Sequence, residues 1–277
     1  MTRYALDPTT PVLSRPDGTV QIGWDPRRAV AVCPPSGMAT TVLADLLRAL
    51  QGVATVAGLQ TLAEGHGTDP ALVAGLVAHL LQRGIVSAAT EPPAHSAAVR
   101  LHGGGPLSDL LTSALRCSGV RISHSSRTHA VGANVDLAVL TDYLVADPRV
   151  VRDLHDAGVP HLPVRVRDGA GLVGPLVLPG VTSCLRCADL HRSDRDAAWP
   201  AIAWQLCRTV GSADRPTLLA TAALALREVN DVLRALGGGS GGAGTRLPST
   251  LDTTLEIDVG HGIVAARSWS RHPKCPC

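Results

Sequence analysis

At 277 residues, with 25 basic against 23 acidic side chains and a formal net charge of +2, the chain has room for one large or two modest domains. It carries no electrostatic footprint for nucleic acid or anionic lipid. Phe is absent and aromatics make up 2%, so a core must be built from Leu, Val and Ala; no apolar run is long enough to span a bilayer, MTRYALDPTT has no signal-peptide pattern, and a soluble cytoplasmic protein with reduced thiols is expected.

From Pro11 to Trp24 the chain reads as a hairpin turning at Pro16-Asp17-Gly18, and RAVAVC (Arg28 to Cys33) supplies a third short strand. A helix follows from Met38 to Leu50, with Val42, Leu43, Leu46, Leu47 and Leu50 on one face. A second helix runs from Thr55 to Glu64. A third opens at Thr68-Asp69-Pro70 and ends at Gly84, with Val73, Leu76, Val77, Leu80 and Leu81 as its apolar positions. IVSAA then reads as a closing strand.

Strands, three helices and a closing strand make a winged helix-turn-helix over residues 1–89. Its common use is DNA binding through the third helix, which here offers only His79 and Arg83 as basic groups and no Asn, Ser or Lys. A transcriptional regulator is therefore the weaker reading. The alternative use of such a helix is to wall a groove, with Val73, Leu76 and Leu80 facing an edge strand at Val30, Ala31 and Val32 to which an extended peptide can add. A domain that only packs on its neighbour fits the same pattern.

Residues 90–98 read as a connector. Beyond it, AVRLHGGGPLSDLLTSALRCSGVRIS gives strand, Gly-rich turn (Gly103, Gly104, Gly105), helix and strand, a βαβ opening that in a nucleotide-binding fold brings phosphates to the helix N-terminus. Such sites place an acid after the second strand for the ribose hydroxyls; here that position reads Ser123-His124-Ser125-Ser126. Asp142, at the end of the buried strand DLAVL, is the candidate for a catalytic or metal-binding acid, and equally for a cap on the next turn.

A helix from Asp147 to Ala157 comes next, then HLPVRVRDG and LVGPLVLPG as two strands. The segment from Asp189 to Trp204 is polar, with Trp199 and Trp204 as expected anchors. Thr217 to Leu236 is an apolar helix whose Arg227, Glu228, Asp231 and Arg234 argue against a membrane span. A Gly-rich tether leads to a final hairpin, TLEIDV and IVAARSWS.

Cys184-x-x-Cys187 and Cys275-x-Cys277 are two close pairs, the pattern of a four-thiolate structural zinc site with no open coordination position. Unrelated free thiols or a terminal disulfide fit the same spacing. Cys33, Cys117 and Cys207 stand alone among apolar neighbours and read as buried small hydrophobes.

The run Gly174-Pro175-Leu176-Val177-Leu178-Pro179-Gly180 before Cys184-x-x-Cys187, with the terminal Arg271-His272-Pro273-x-Cys275-x-Cys277, resembles the ThiF-like cyclodehydratase partner proteins of azole-forming (bacteriocin-type) peptide biosynthesis. These are relatives of ubiquitin-activating-type adenylating enzymes. The resemblance implies a winged-helix peptide clamp for a leader peptide followed, over residues 99–277, by a truncated Rossmann-like ThiF domain. Cys184, Cys187, Cys275 and Cys277 would be its zinc ligands, Gly103 and Gly105 a remnant nucleotide loop, and Asp142 the position where adenylating relatives hold Mg²⁺.

The departures point away from adenylation. No acid follows the second strand, and the stretch between Ile122 and Asp136 is too short for the helices that carry the triphosphate Arg and Lys. Phosphates without that positive clamp are not held tightly, so ATP and Mg²⁺ are not expected. The reading is an α/β protein that binds a leader peptide, as a possible homodimer, for a YcaO-type cyclodehydratase. An ATP-dependent enzyme adenylating a carboxylate is the alternative.

Overall fold

The computed structural model describes residues 2–89, 96–125, 135–236 and 247–277. These fall into two compact units, one over residues 2–89 and one from residue 96 onward. Residues 90–95 of the expected connector (90–98), 126–134 of the stretch between Ile122 and Asp136 argued to lack the triphosphate helices, and 237–246 of the Gly-rich tether lie outside the described residues; the end of the expected connector, Ala98, opens the first strand of the second unit.

The first unit runs β1 (Arg3–Ala5), β2 (Val12–Ser14), β3 (Val20–Ile22), β4 (Val30–Val32), α1 (Thr40–Gln51), β5 (Ala54–Thr55), α2 (Val56–Gly65), α3 (Ala71–Gln82) and β6 (Ser87–Ala89). Two small sheets form, β2-β3-β4 and β5-β1-β6, all antiparallel. The Pro-Asp-Gly turn closes the hairpin as expected, with Gly18 at φ +80 and the Asp17 carboxylate accepting from Thr19 N and Oγ1 at 3.0 and 2.6 Å. Helix α1 buries Val42, Leu43, Leu46, Leu47 and Leu50, each large side chain contributing about 1.5–3 kcal/mol. Thr55 caps α2 through Gly58 N, and the Asp69 carboxylate accepts from Ala71 N at the start of α3. Three-residue β1 has too little sequence for a readable alternation and was not foreseen; its pairing with β5 and β6 is decided by chain segments 50 and 84 residues away.

The second unit continues with β7 (Ala98–His102), α4 (Pro106–Arg116), β8 (Arg121–Ser125), β9 (Leu137–Thr141), α5 (Pro148–Asp156), β10 (His161–Arg167), β11 (Ala170–Val173), α6 (Leu185–Arg195), α7 (Trp199–Leu206), α8 (Arg215–Leu236), β12 (Thr253–Asp258) and β13 (Ile263–Ser268). One seven-stranded sheet has the order β13-β12-β11-β10-β9-β7-β8. Strands β8, β7, β9 and β10 are parallel, and β11, β12 and β13 add antiparallel, giving a Rossmann-like mixed sheet.

Because successive strand residues face opposite sides, β10 splits its side chains. Leu162, Val164 and Val166 join the core under α4 and α8, while the opposite face is covered by α5 and α6 through Val150, Leu154 and Leu185. Helix α8 sits tightly on β11, where a Cβ at Gly171 would overlap Thr221 Oγ1. Its charged second half turns partly inward: Glu228, 2% exposed, accepts from Thr250 N and Oγ1 at 3.1 and 2.9 Å, and buried Asp231 pairs with Arg227 and Arg234. Among the described residues no helix is long and apolar enough to cross a membrane.

Three expectations are corrected. Cys33 and Cys117 are exposed and Cys207 half-buried, since each lies at the end of an element rather than on its core face. The segment from Asp189 to Trp204 belongs to two helices, and Trp204 is 56% exposed rather than an anchor. Finally, LVGPLVLPG forms a strand only up to Val173, with Leu176 and Val177 making single bridges.

Candidate functional site

In the first unit, β4 is one of the two edges of its sheet. Gly23 N donates to Pro11 O and Arg15 N to Thr19 O, which fixes the alternation of the ladder: Thr19, Gln21 and Gly23 turn their backbone groups to β2, Val20 and Ile22 to β4. Val30 and Val32 therefore pair with β3, and the N–H and C=O of exposed Ala31 point to the free edge.

A groove of about 530 Å³ lies beside this edge, lined by Ala31, Val32, Cys33 and by Leu72, Gly75, Leu76 and His79 of α3. Of the positions singled out in the sequence, Ala31, Val32 and Leu76 line it. Val73 and Leu80 are buried in the core and Val30 packs against that core. The α3 residues missed by periodicity are Leu72, which is half-buried at the edge of that core, and Gly75 and His79; small Gly75 leaves the groove open.

In the second unit, β8 pairs on one side of β7 and β9 on the other, so the ends of β7 and β9 form the topological switch point where α/β folds place ligands. Gly103, Gly105 and Asp142 meet here. A Cβ on Gly103 would overlap Thr141, and one on Gly105 would come within 2.8 Å of Asp142 Oδ1, so the loop is glycine because it is pressed against the end of β9. Asp142, at φ +69, turns its carboxylate onto the N-terminus of α4: Leu107 N and Ser108 N donate at 2.9 and 3.1 Å and Ser108 Oγ at 2.5 Å. Helix N-terminal amides are the groups that would cradle a phosphate. Here a carboxylate that is 1% exposed occupies them.

Cys184, at the N-cap of α6, and Cys187, in its first turn, face Cys275 and Cys277, and all four Sγ atoms lie within 4.8 Å of one another. The separations Cys184–Cys187, Cys184–Cys275 and Cys187–Cys277 are 3.7, 3.6 and 3.4 Å. Disulfides are excluded, and the values approach the edge of about 3.8 Å of a tetrahedron with Zn–S bonds near 2.3 Å. Burial pushes the Cys184 thiol well up, whereas at Cys187 backbone hydrogen bonds at His272 and Cys184 and the neighbouring thiols outweigh burial and bring it down to about 7.

The C-terminal knuckle is held from outside the cluster. His272, 4% exposed, accepts from Lys274 N at Nδ1 (3.1 Å), so its Nε2 carries the proton and donates to Asp194 at 2.8 Å. Arg271 Nη2 donates to Gly180 O at 2.7 Å and Trp269 Nε1 to Thr254 Oγ1 at 2.9 Å.

On β10, His161 is fully buried; its Nδ1 donates to Val159 O at 3.0 Å and its Nε2 has no partner among the described residues. Burial pushes its pKa from 6.5 to about 4. The folded state thus holds a neutral imidazole, so this contribution to stability is complete above pH 6.5 and lost as pH falls from 6.5 toward 4, by about 3 kcal/mol in all. Urea titrations at steps across that window should show His161→Leu losing less stability than the parent by about this amount; parallel curves would refute the assignment.

No family model matches the chain, and no curated protein matches it. Among solved structures, it is similar to a heterocyclase in complex with substrate and cofactor (TM-score 0.71, 17% identity, 100% of this chain and 39% of the other). It is similar also to the heterocyclase TruD (TM-score 0.69, 17% identity, 100% and 42%). A third similar structure is E. coli MccB with MccA-N7isoASN (TM-score 0.58, 13% identity, 100% and 99%). The chain spans about two fifths of the length of the two heterocyclase chains. At these identities the likenesses are of fold alone.

Proposed function

We propose that this chain is a non-catalytic, peptide-binding protein of ribosomal peptide modification. Its winged-helix first unit takes a leader peptide as an added strand on β4, and its ThiF-like second unit, built on a structural zinc, serves a YcaO-type cyclodehydratase. The observation that carries this reading is the free edge at Ala31 beside the open groove of α3. An extended segment there would gain main-chain hydrogen bonds from β4 and side-chain contacts from Leu72 and Leu76.

Two further observations support it. The α4 amides are taken by Asp142, leaving no helix N-terminus for a triphosphate at the switch point. The four-cysteine geometry fits Zn²⁺ and leaves no ligand position for chemistry.

Since Ala31 N–H points away from β3, Ala31→Pro removes an edge donor without touching a ladder bond. Peptides selected on the parent protein from a displayed library should bind the variant about tenfold or more weakly, at unchanged melting temperature, in fluorescence anisotropy. Equal affinities would end the strand-addition reading. Calorimetry with ATP and Mg²⁺ tests the adenylating alternative: micromolar binding with pyrophosphate release would establish it in place of ours.

A further inference from the structure

The second unit contains a larger groove, about 810 Å³, walled by α5, α6 and α7. At its floor stands Arg165. The alternation of β10 that buries Val164 and Val166 under α8 turns Arg165 to the other sheet face, just past Val164, the last residue paired with β9. It is half-buried, and among the described residues no carboxylate or carbonyl accepts from its guanidinium. Burial, with the Arg192 and Arg167 cations, pushes its pKa down to about 10 against the opposing pull of the Asp189 carboxylate, so it stays charged at neutral pH. A desolvated cation without a hydrogen-bond acceptor costs stability, and the Asp189 carboxylate, which is bonded to Arg192 and Trp199, offsets that only in part.

The walls carry the same sign. Exposed Arg152 on α5 and Arg186 on α6 line the groove with Arg165 and Arg192, against the carboxylates of Asp156 and Asp189, and Asp189 is already committed to Arg192 and Trp199. Helix α7 buries none of its side chains. It nonetheless carries two of the four Trp of a chain with no Phe: Trp199 under the Arg192 guanidinium at 4.9 Å, and exposed Trp204 with Arg208 at 4.3 Å. Trp and Arg standing together outside a core are the residues that dominate protein interfaces.

We propose that this groove is a second docking surface, which takes an acidic peptide segment of a partner protein, with a carboxylate on the Arg165 guanidinium and apolar side chains against Trp199 and Trp204. A bidentate guanidinium suits a carboxylate. The cations are spread over three elements, Arg165 on β10, Arg152 on α5, and Arg186 and Arg192 on α6. Distributed carboxylates match this pattern better than one polyphosphate.

The test uses the full chain and a fluorescein-labelled peptide of alternating glutamate and leucine, followed by anisotropy at low salt, with a lysine–leucine peptide as control and tripolyphosphate as competitor. The acidic peptide should bind. Arg165→Gln should weaken it about tenfold or more, Arg165→Lys less, Trp204→Ala several-fold, and Ala31→Pro not at all, with zinc content kept and melting temperature unchanged or raised in Arg165→Gln. Equal binding by Arg165→Gln and the parent, no binding, or tripolyphosphate binding through Arg165 without the acidic peptide would each overturn the proposal. So would loss of zinc or a fall in melting temperature in Arg165→Gln, which would make Arg165 a structural counter-charge. Loss of acidic-peptide binding in Ala31→Pro would instead assign the binding to the first unit.

Discussion

Deletion of Pro276-Cys277 is expected to release zinc and melt the second unit at a much lower temperature than the parent protein. The physical basis is the distance in sequence that the cluster spans: Cys184 meets Cys275 across 91 residues and Cys187 meets Cys277 across 90. These contacts fasten the segment after β13 to the start of α6. Structural Zn²⁺ bound to four thiolates is worth on the order of 10 kcal/mol of folding free energy at neutral pH, more than the hydrogen bonds of His272, Arg271 and Trp269 at the same end of the chain can replace.

The parent should contain one zinc per chain by elemental analysis, and a strong chelator should reproduce the truncated protein's melting curve. Cys277→Ser should behave like the deletion because a hydroxyl is not a thiolate ligand. A truncated protein that keeps its zinc and its melting temperature would refute the clasp. Acid should release the metal from the parent as the thiolates protonate, a loss that cancels when the His161 variant is compared with it.

The second large effect is expected at Asp142. Asp142→Ala should lower stability by about 3 kcal/mol, because it leaves the buried Leu107 and Ser108 amides and the Ser108 hydroxyl without their acceptor at the start of α4. Asp142→Asn keeps one oxygen for Leu107 N but turns an NH₂ toward the Ser108 amide, itself a donor, while the Ser108 hydroxyl can rotate to accept from it, and should cost part of that amount. Urea midpoints measure both. The reading of Asp142 as a catalytic acid makes the opposite forecast: an ATP–pyrophosphate exchange activity in the parent that vanishes in Asp142→Ala with the midpoint unmoved.

Much of the framework was legible in the sequence because it depends on local chemistry. Gly and Pro punctuation set the β2–β3 turn and the ends of α3, and the aliphatic period of α1 marked the five side chains that are buried. The two cysteine pairs announced a cluster whose sulfurs do converge. Periodicity identifies the face of an element that is buried, and it is silent about the opposite face. On α3 it pointed to Val73 and Leu80, which belong to the core, while the groove is lined by Leu72 at the edge of that core and by Gly75 and His79. The isolated cysteines were read by their apolar neighbours, yet Cys33 and Cys117 sit at element ends where the chain leaves the core.

What the sequence by itself determined, then, is most of the longer elements, their core faces and the residues able to hold a metal. Only the tertiary structure decided which groups meet: that Asp142 takes the α4 amides, that Ala31 is the free edge, and that Arg165 faces a basic, Trp-lined groove without an acceptor of its own. The physical reason is that each of these depends on strand register and crossover between segments tens of residues apart. A shift of one residue in the pairing of β10 would send Arg165 into the core and Val164 into the groove.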